Sequence, residues 1–165
     1  VGRFTGAGVA FPSRLVQYLS FVGQIFAAPD AGGIVAADGY LKWRLVGTGG
    51  LEIPGAVLLA LAVAGFVMNR KRVFAGISMG WVLVSFLLLC VLGWGTAENG
   101  LTLYTLYFGW AYAALLIYLT ESLLRLMRLE RYSWALYAVG AAALFIYNLP
   151  RMKELIVFAI SNYPL

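Results

Sequence analysis

Two long uncharged apolar runs joined by three adjacent cations constrain this chain more than any other feature. Within the stretch Leu51 to Leu92, one run covers Ile53 to Met68 and the other Val73 to Leu92. Between them lies the turn Asn69-Arg70-Lys71-Arg72. Each run is near the ~20 apolar residues that cross a bilayer core of about 30 Å. Cytoplasmic loops carry an excess of Lys and Arg, so the turn is expected on the cytoplasmic side. The expected fold is all-α: an integral membrane helical bundle of about four transmembrane helices plus one or two interfacial ones. Residues 1–50 would form an interfacial helix and a Gly-rich outer loop, and residues 51–165 the four-helix transmembrane region.

The solvent for most of the chain is then lipid. Charged residues make up 12% and hydrophobic residues 62% of the sequence, against about 25% charged in a typical soluble domain. The net charge of +5 would suggest nucleic acid as a partner of a soluble protein. Here the cations stand at the ends of apolar runs, which points to anionic lipid head groups and away from nucleic acid. The chain has no histidine and a single cysteine, Cys90, inside the second apolar run. The commonest general base and metal ligand are therefore missing, and no cofactor or metal set is expected. Cys90 reads as a small apolar filler. Val1 to Ala10 lacks the cationic start, apolar core and cleavage site of a signal peptide, so these residues read as part of a longer polypeptide.

Taken in order, residues 1 to 12 are Gly-rich and receive no element. Ser13 to Ala28 reads as a short helix with Arg14, Gln17, Ser20 and Gln24 on one side. It is too short to span, so it is either interfacial or the buried end of a preceding helix. Pro29 to Gly50 reads as an outer loop carrying Lys42, Arg44 and the interfacial aromatics Tyr40 and Trp43. Its Gly47-Thr48-Gly49-Gly50 lacks the Lys-Ser or Lys-Thr of a phosphate-binding loop, so it reads as a flexible entry to the membrane. In the first span Ala56, Ala60 and Ala64 recur every four residues, as do Gly76 and Gly80 in the second. Small residues at that spacing let helices pack closely. A third span covers Leu101 to Leu119. A fourth covers Trp134 to Leu149 and stops at Pro150, leaving Arg151 to Leu165 outside with Leu155 to Ile160 on the membrane surface. Each face collects six Lys or Arg; those on the inner face form two compact clusters beside the spans, which sets the orientation.

The third span carries the most informative pattern. Tyr104, Tyr107, Ala111, Ala114, Tyr118, Glu121, Arg125 and Arg128 step by three or four and form one stripe if the helix continues past Leu119. Glu121 and Arg125 make an i,i+4 pair with the acid nearer the N-terminus, the better orientation. The plain reading is a bundle-facing stripe with a surface ion pair. The sharper one makes Tyr104, Tyr107, Tyr118, Glu121 and Arg125 the wall of a cavity or lipid groove. The outer carboxylates Asp30, Asp38, Glu52 and Glu98 would need to converge to do acid–base work, and nothing in their spacing gathers them. No span has a carboxylate at its centre, which argues against a proton relay or an ion-coupled pump.

Gly93-Trp94-Gly95-Thr96-Ala97-Glu98-Asn99-Gly100-Leu101-Thr102-Leu103-Tyr104, continuing to Tyr107-Phe108-Gly109-Trp110-Ala111, resembles the C-terminal membrane region of large bacterial multispan proteins. Those proteins are glycosyltransferase-like, of the GT-C kind, and take sugar from a polyprenyl-phosphate donor. Their catalytic acidic residue lies in an early outer loop, and no such motif can be matched in this chain. The resemblance implies a non-catalytic, later part of a membrane domain in a bacterial inner membrane, with Lys42 or Arg44 contacting the lipid-linked phosphate. Two other classes stay open. One is a small accessory subunit of a larger membrane complex, which should expose small-residue faces left unfilled by its own bundle. The other is a transporter or channel component, which should show internal repeats or mid-membrane polar groups.

Overall fold

The computed structural model describes residues 10–28, 30–35, 41–46, 50–94 and 101–162. Helix α1 (Phe11–Gly23) is followed by an antiparallel ribbon of β1 (Asp30–Val35) and β2 (Leu41–Val46). Then come α2 (Glu52–Asn69), α3 (Val73–Ser85) running on into a π-helical segment Phe86–Val91, α4 (Leu101–Leu126), a 3-10 turn at Glu130–Tyr132, and α5 (Ser133–Asn162). The chain is thus a helical membrane protein. Among the described residues three helical stretches are long and apolar enough to cross a bilayer: Glu52–Asn69, Val73–Val91 and Glu130–Phe158. Helix α4 runs seven residues past Leu119, as its stripe requires, and at 26 residues it is about 39 Å long.

Local sequence explains the helix ends. Pro54 sits in the first turn of α2, where its missing N–H breaks no helical bond, and Glu52 complements the helix dipole there. At the other end Arg72 leaves the helical region and its N–H bonds the Asn69 carbonyl at 2.9 Å, which turns the chain back into α3. Helix α4 ends with the Leu129 N–H on the Leu124 carbonyl and the Arg128 N–H on the Arg125 carbonyl. That is the Schellman closure, with Arg128 at φ 59° where glycine is the usual occupant.

Three glycines set the helix crossings. A Cβ on Gly23 would collide with the Leu51 carbonyl, one on Gly55 with the Leu19 carbonyl, and one on Gly65 with the Leu115 carbonyl. Backbone lies on backbone at the α1–α2 and α2–α4 contacts. This revises the expected packing stripes. The buried positions of α2 are Gly55, Ala62, Gly65 and Asn69, whereas Ala56 and Ala60 are exposed. In α3 the buried positions are Ala75, Ser78, Val82 and Ser85, and a Cβ on Gly76 or Gly80 would meet nothing within 4 Å. The four-residue spacing was there, but it marks the outward faces.

Three further expectations change. Helix α1 is not simply interfacial: Tyr18, Phe21 and Val22 are fully buried against α2, α4 and the π-helical segment. The Pro29–Gly50 loop contains the β1–β2 ribbon, with Gly32 opposite Arg44 and Ile34 opposite Lys42. Helix α5 does not stop at Pro150 but carries through it to Asn162. Prolines are tolerated inside lipid-embedded helices, and this one lies just beyond an anchor. The Asn148 side chain accepts from the Ala28 N–H at 2.5 Å and donates toward the Phe26 and Leu144 carbonyls at 2.9 Å each.

Substituting Gly65 by Ala should destabilise the bundle by about 1–3 kcal/mol, because the Leu115 backbone must move aside. The same change at Gly76 should be neutral or slightly stabilising. Unfolding of the two variants by sodium dodecyl sulfate titration, followed by circular dichroism, checks the contrast.

Candidate functional site

Polar side chains inside the bundle gather at two places. The first is the interior, close to the middle of α4, where α1 meets α4 and the junction of α3 with the π-helical segment. Tyr18 Oη lies 2.6 Å from Tyr112 Oη and 3.0 Å from Ser85 Oγ, and all three residues are fully buried. Ser85 donates its proton to the Val82 carbonyl at 2.7 Å. Each hydroxyl has one proton, and the two shorter contacts are met when Tyr112 donates to Tyr18 and Tyr18 to Ser85; Tyr112 Oη is also 3.4 Å from Ser85 Oγ. The chain of donors is complete and ends on a backbone carbonyl. Directly after Ser85 the helix widens to the π form, a change often found where side chains must be re-aimed. Arg14 reaches across from α1 to donate to the Val91 carbonyl at 2.6 Å, where that segment ends. Cys90 is buried in the core nearby, as an apolar filler should be.

The second place is the end bearing the basic turn. Asn69, buried at the last position of α2, holds its amide nitrogen 3.0 Å from the Gly65 carbonyl, 3.2 Å from the Tyr118 carbonyl and 2.9 Å from Ser122 Oγ. It ties α2 to α4 one turn beyond the Gly65 crossing. Arg72 lies over the Tyr118 ring, 5.0 Å from its centroid, and pairs with Glu121 at 3.6 Å. The expected Glu121–Arg125 pair along α4 is replaced by this contact across the turn. Both partners of the ion pair are more than a third exposed, so it contributes less than about 1 kcal/mol.

The structure separates the α4 stripe. Tyr104 and Tyr118 are partly buried and pack on the core, Glu121 is partly buried, and Tyr107 and Arg125 are exposed. The face that enters the core is Phe108, Ala111, Tyr112, Leu115 and Leu119, which shares Ala111 with the stripe and is otherwise rotated from it. Tyr107 offers its carbonyl to the Trp81 indole N–H at 2.9 Å. The side chains of Lys42 and Arg44 lie outside the described residues, as do Asp38, Glu98 and Gly47–Gly49. Among the described residues no group of three or more acidic, cysteine or histidine side chains could hold a metal. The sequence reading missed Tyr18, Ser85, Tyr112 and Asn69. The one signal available was for Ser85 and Asn69, polar residues in helices dominated by apolar ones, where polar groups face protein.

Compared with protein-family models, characterised proteins and solved structures, the chain has no significant match to any of them. The geometry must therefore carry the functional reading.

Tyr18 stands in the middle of the hydroxyl chain and Tyr112 at its end. Tyr18→Phe removes the hydroxyl that makes the two shorter contacts and leaves only the 3.4 Å one, so it should cost about 1–3 kcal/mol, more than Tyr112→Phe. Denaturation of both variants in the same detergent gives the order directly.

Proposed function

We propose that this chain is the non-catalytic membrane portion of a larger assembly, completed by membrane helices that pack on α3 and α5. The outward face of α3 carries the reading. Gly76 and Gly80 point away from the bundle with open space above them. Val73, Ile77 and Val84 flank them and are 81%, 54% and 44% exposed. Glycines four residues apart beside β-branched neighbours suit close approach of a second helix backbone, since lipid tails fill such a groove poorly. Helix α5 supports the same reading. None of its most apolar window is buried, and its polar tie to the bundle runs through Asn148.

The resemblance of Gly93–Ala111 supplies the class of assembly. It is a lipid-linked-sugar glycosyltransferase-like protein of a bacterial inner membrane, in which α2 to α5 would supply four spans. On that reading the completing helices belong to the same polypeptide, and a polyprenyl-phosphate lipid is met on the side of Lys42 and Arg44. The accessory-subunit reading draws on the same exposed glycine face and places the helices in a separate, larger protein.

The test is a native gel of the protein extracted from its membrane in mild detergent, followed by a denaturing gel. The expected native species is larger than the 18.0 kDa chain. A single heavy band on denaturation places the partner helices in the same polypeptide, and two bands place them in another. Gly76→Leu with Gly80→Leu should release a separate partner, or lower the melting temperature of a single long polypeptide by several degrees. A native species of the chain's own mass, indifferent to the double substitution, contradicts the proposal.

A further inference from the structure

A cavity of about 390 Å³ opens beside the α2–α3 turn, lined by Asn69, Arg70, Lys71, Arg72, Ser122 and Arg125 over a floor of Val67 and Met68. Four of these side chains are cationic and none is acidic. Arg72 is neutralised by Glu121, whereas Arg70, Lys71 and Arg125 have no carboxylate within 4 Å among the described residues. On its far side Arg125 faces Glu121 and Glu130 across a smaller cavity, at more than ion-pair distance. Three unpaired cations around one concavity repel one another unless an anion sits among them. Ser122 adds a hydrogen-bond donor: its Oγ accepts from Asn69 and its own proton has no partner among the described residues.

The position and the floor select the kind of anion. Helix α2 ends at Asn69 and α3 starts at Val73, so the cavity lies where both apolar runs meet the head-group level. Val67 and Met68 below it are about half exposed and offer apolar surface continuous with the lipid-facing side of α2. A free phosphate ion would use only the cations. A lipid would use both, with its phosphate among Arg70, Lys71 and Arg125 and an acyl chain along Val67 and Met68. We propose that this cavity is a binding site for the phosphate of an anionic phospholipid. The site stands independently of the assembly reading.

Native mass spectrometry of the full chain in a zwitterionic detergent tests it, with dioctanoylphosphatidylglycerol, dioctanoylphosphatidylcholine and inorganic phosphate as probes. One phosphatidylglycerol should be retained per chain, with phosphatidylcholine retained far less. Arg70→Gln with Arg125→Gln should weaken retention by about twenty-fivefold, roughly fivefold per cation. Arg128→Gln with Arg131→Gln removes equal charge from the same end but outside the cavity, and should leave retention unchanged. Arg70→Lys with Arg125→Lys keeps the charge and should keep most of the binding, which separates a lost contact from a lost fold. Equal weakening by both Gln pairs, or equal retention of the two lipids, overturns the site. Displacement of phosphatidylglycerol by low-millimolar phosphate overturns the lipid as its occupant.

Discussion

The structure depends on backbone lying against backbone. Inside a bilayer, helices gain little from hiding apolar side chains, because lipid tails are equally apolar. What remains is close packing and the few hydrogen bonds that it permits. Gly65 lets α2 rest on the Leu115 carbonyl, and Gly55 does the same against the Leu19 carbonyl of α1. The other contacts follow from these two. With α2 against α4, the Asn69 amide reaches Tyr118 and Ser122. With α1 seated on α2, Tyr18 reaches Ser85 and Tyr112.

The two polar clusters divide the labour between the interior of the bundle and the end that bears the basic turn. Around Tyr18 the hydroxyls are fully buried and satisfy one another, so that cluster fixes how α1, α3 and α4 meet. Around the basic turn Asn69 performs the same clamping, while Arg70, Lys71 and Arg125 beside it have no carboxylate partner among the described residues. The interior cluster is closed and structural; the end at the basic turn has charge to spare. The left-handed Arg128 at the end of α4 adds a further cation to the open end, at a position where glycine would fit the backbone better.

Much of the frame was legible in the sequence because it depends on composition over long windows. The apolar runs on either side of Arg70-Lys71-Arg72 became α2 and α3, and the stripe continuing past Leu119 became the long α4. What escaped depends on which side of a helix meets another. Ala56, Ala60 and Ala64 look as suited to packing as Gly55, Ala62 and Gly65, and only the crossing geometry decides between them. Pro150 reads as a stop, yet a helix in lipid has no water to take up its freed backbone groups and continues. Glu121 has a sequence neighbour in Arg125 and a spatial one in Arg72, and the turn delivers the second. Tyr18 and Tyr112 lie 94 residues apart and could be joined only by the fold.

In the proposed assembly a partner helix covers the open face of α3 around Gly76 and Gly80. Photo-crosslinking residues placed one at a time from Val73 to Leu87, in the protein within its native membrane, test it most directly. Protein adducts are expected at Val73, Gly76, Ile77, Gly80 and Val84, with a helical repeat, and none at the buried Ala75, Ser78 and Val82. Adducts to lipid alone at every exposed position would contradict it, and would leave α3 a plain lipid-facing helix.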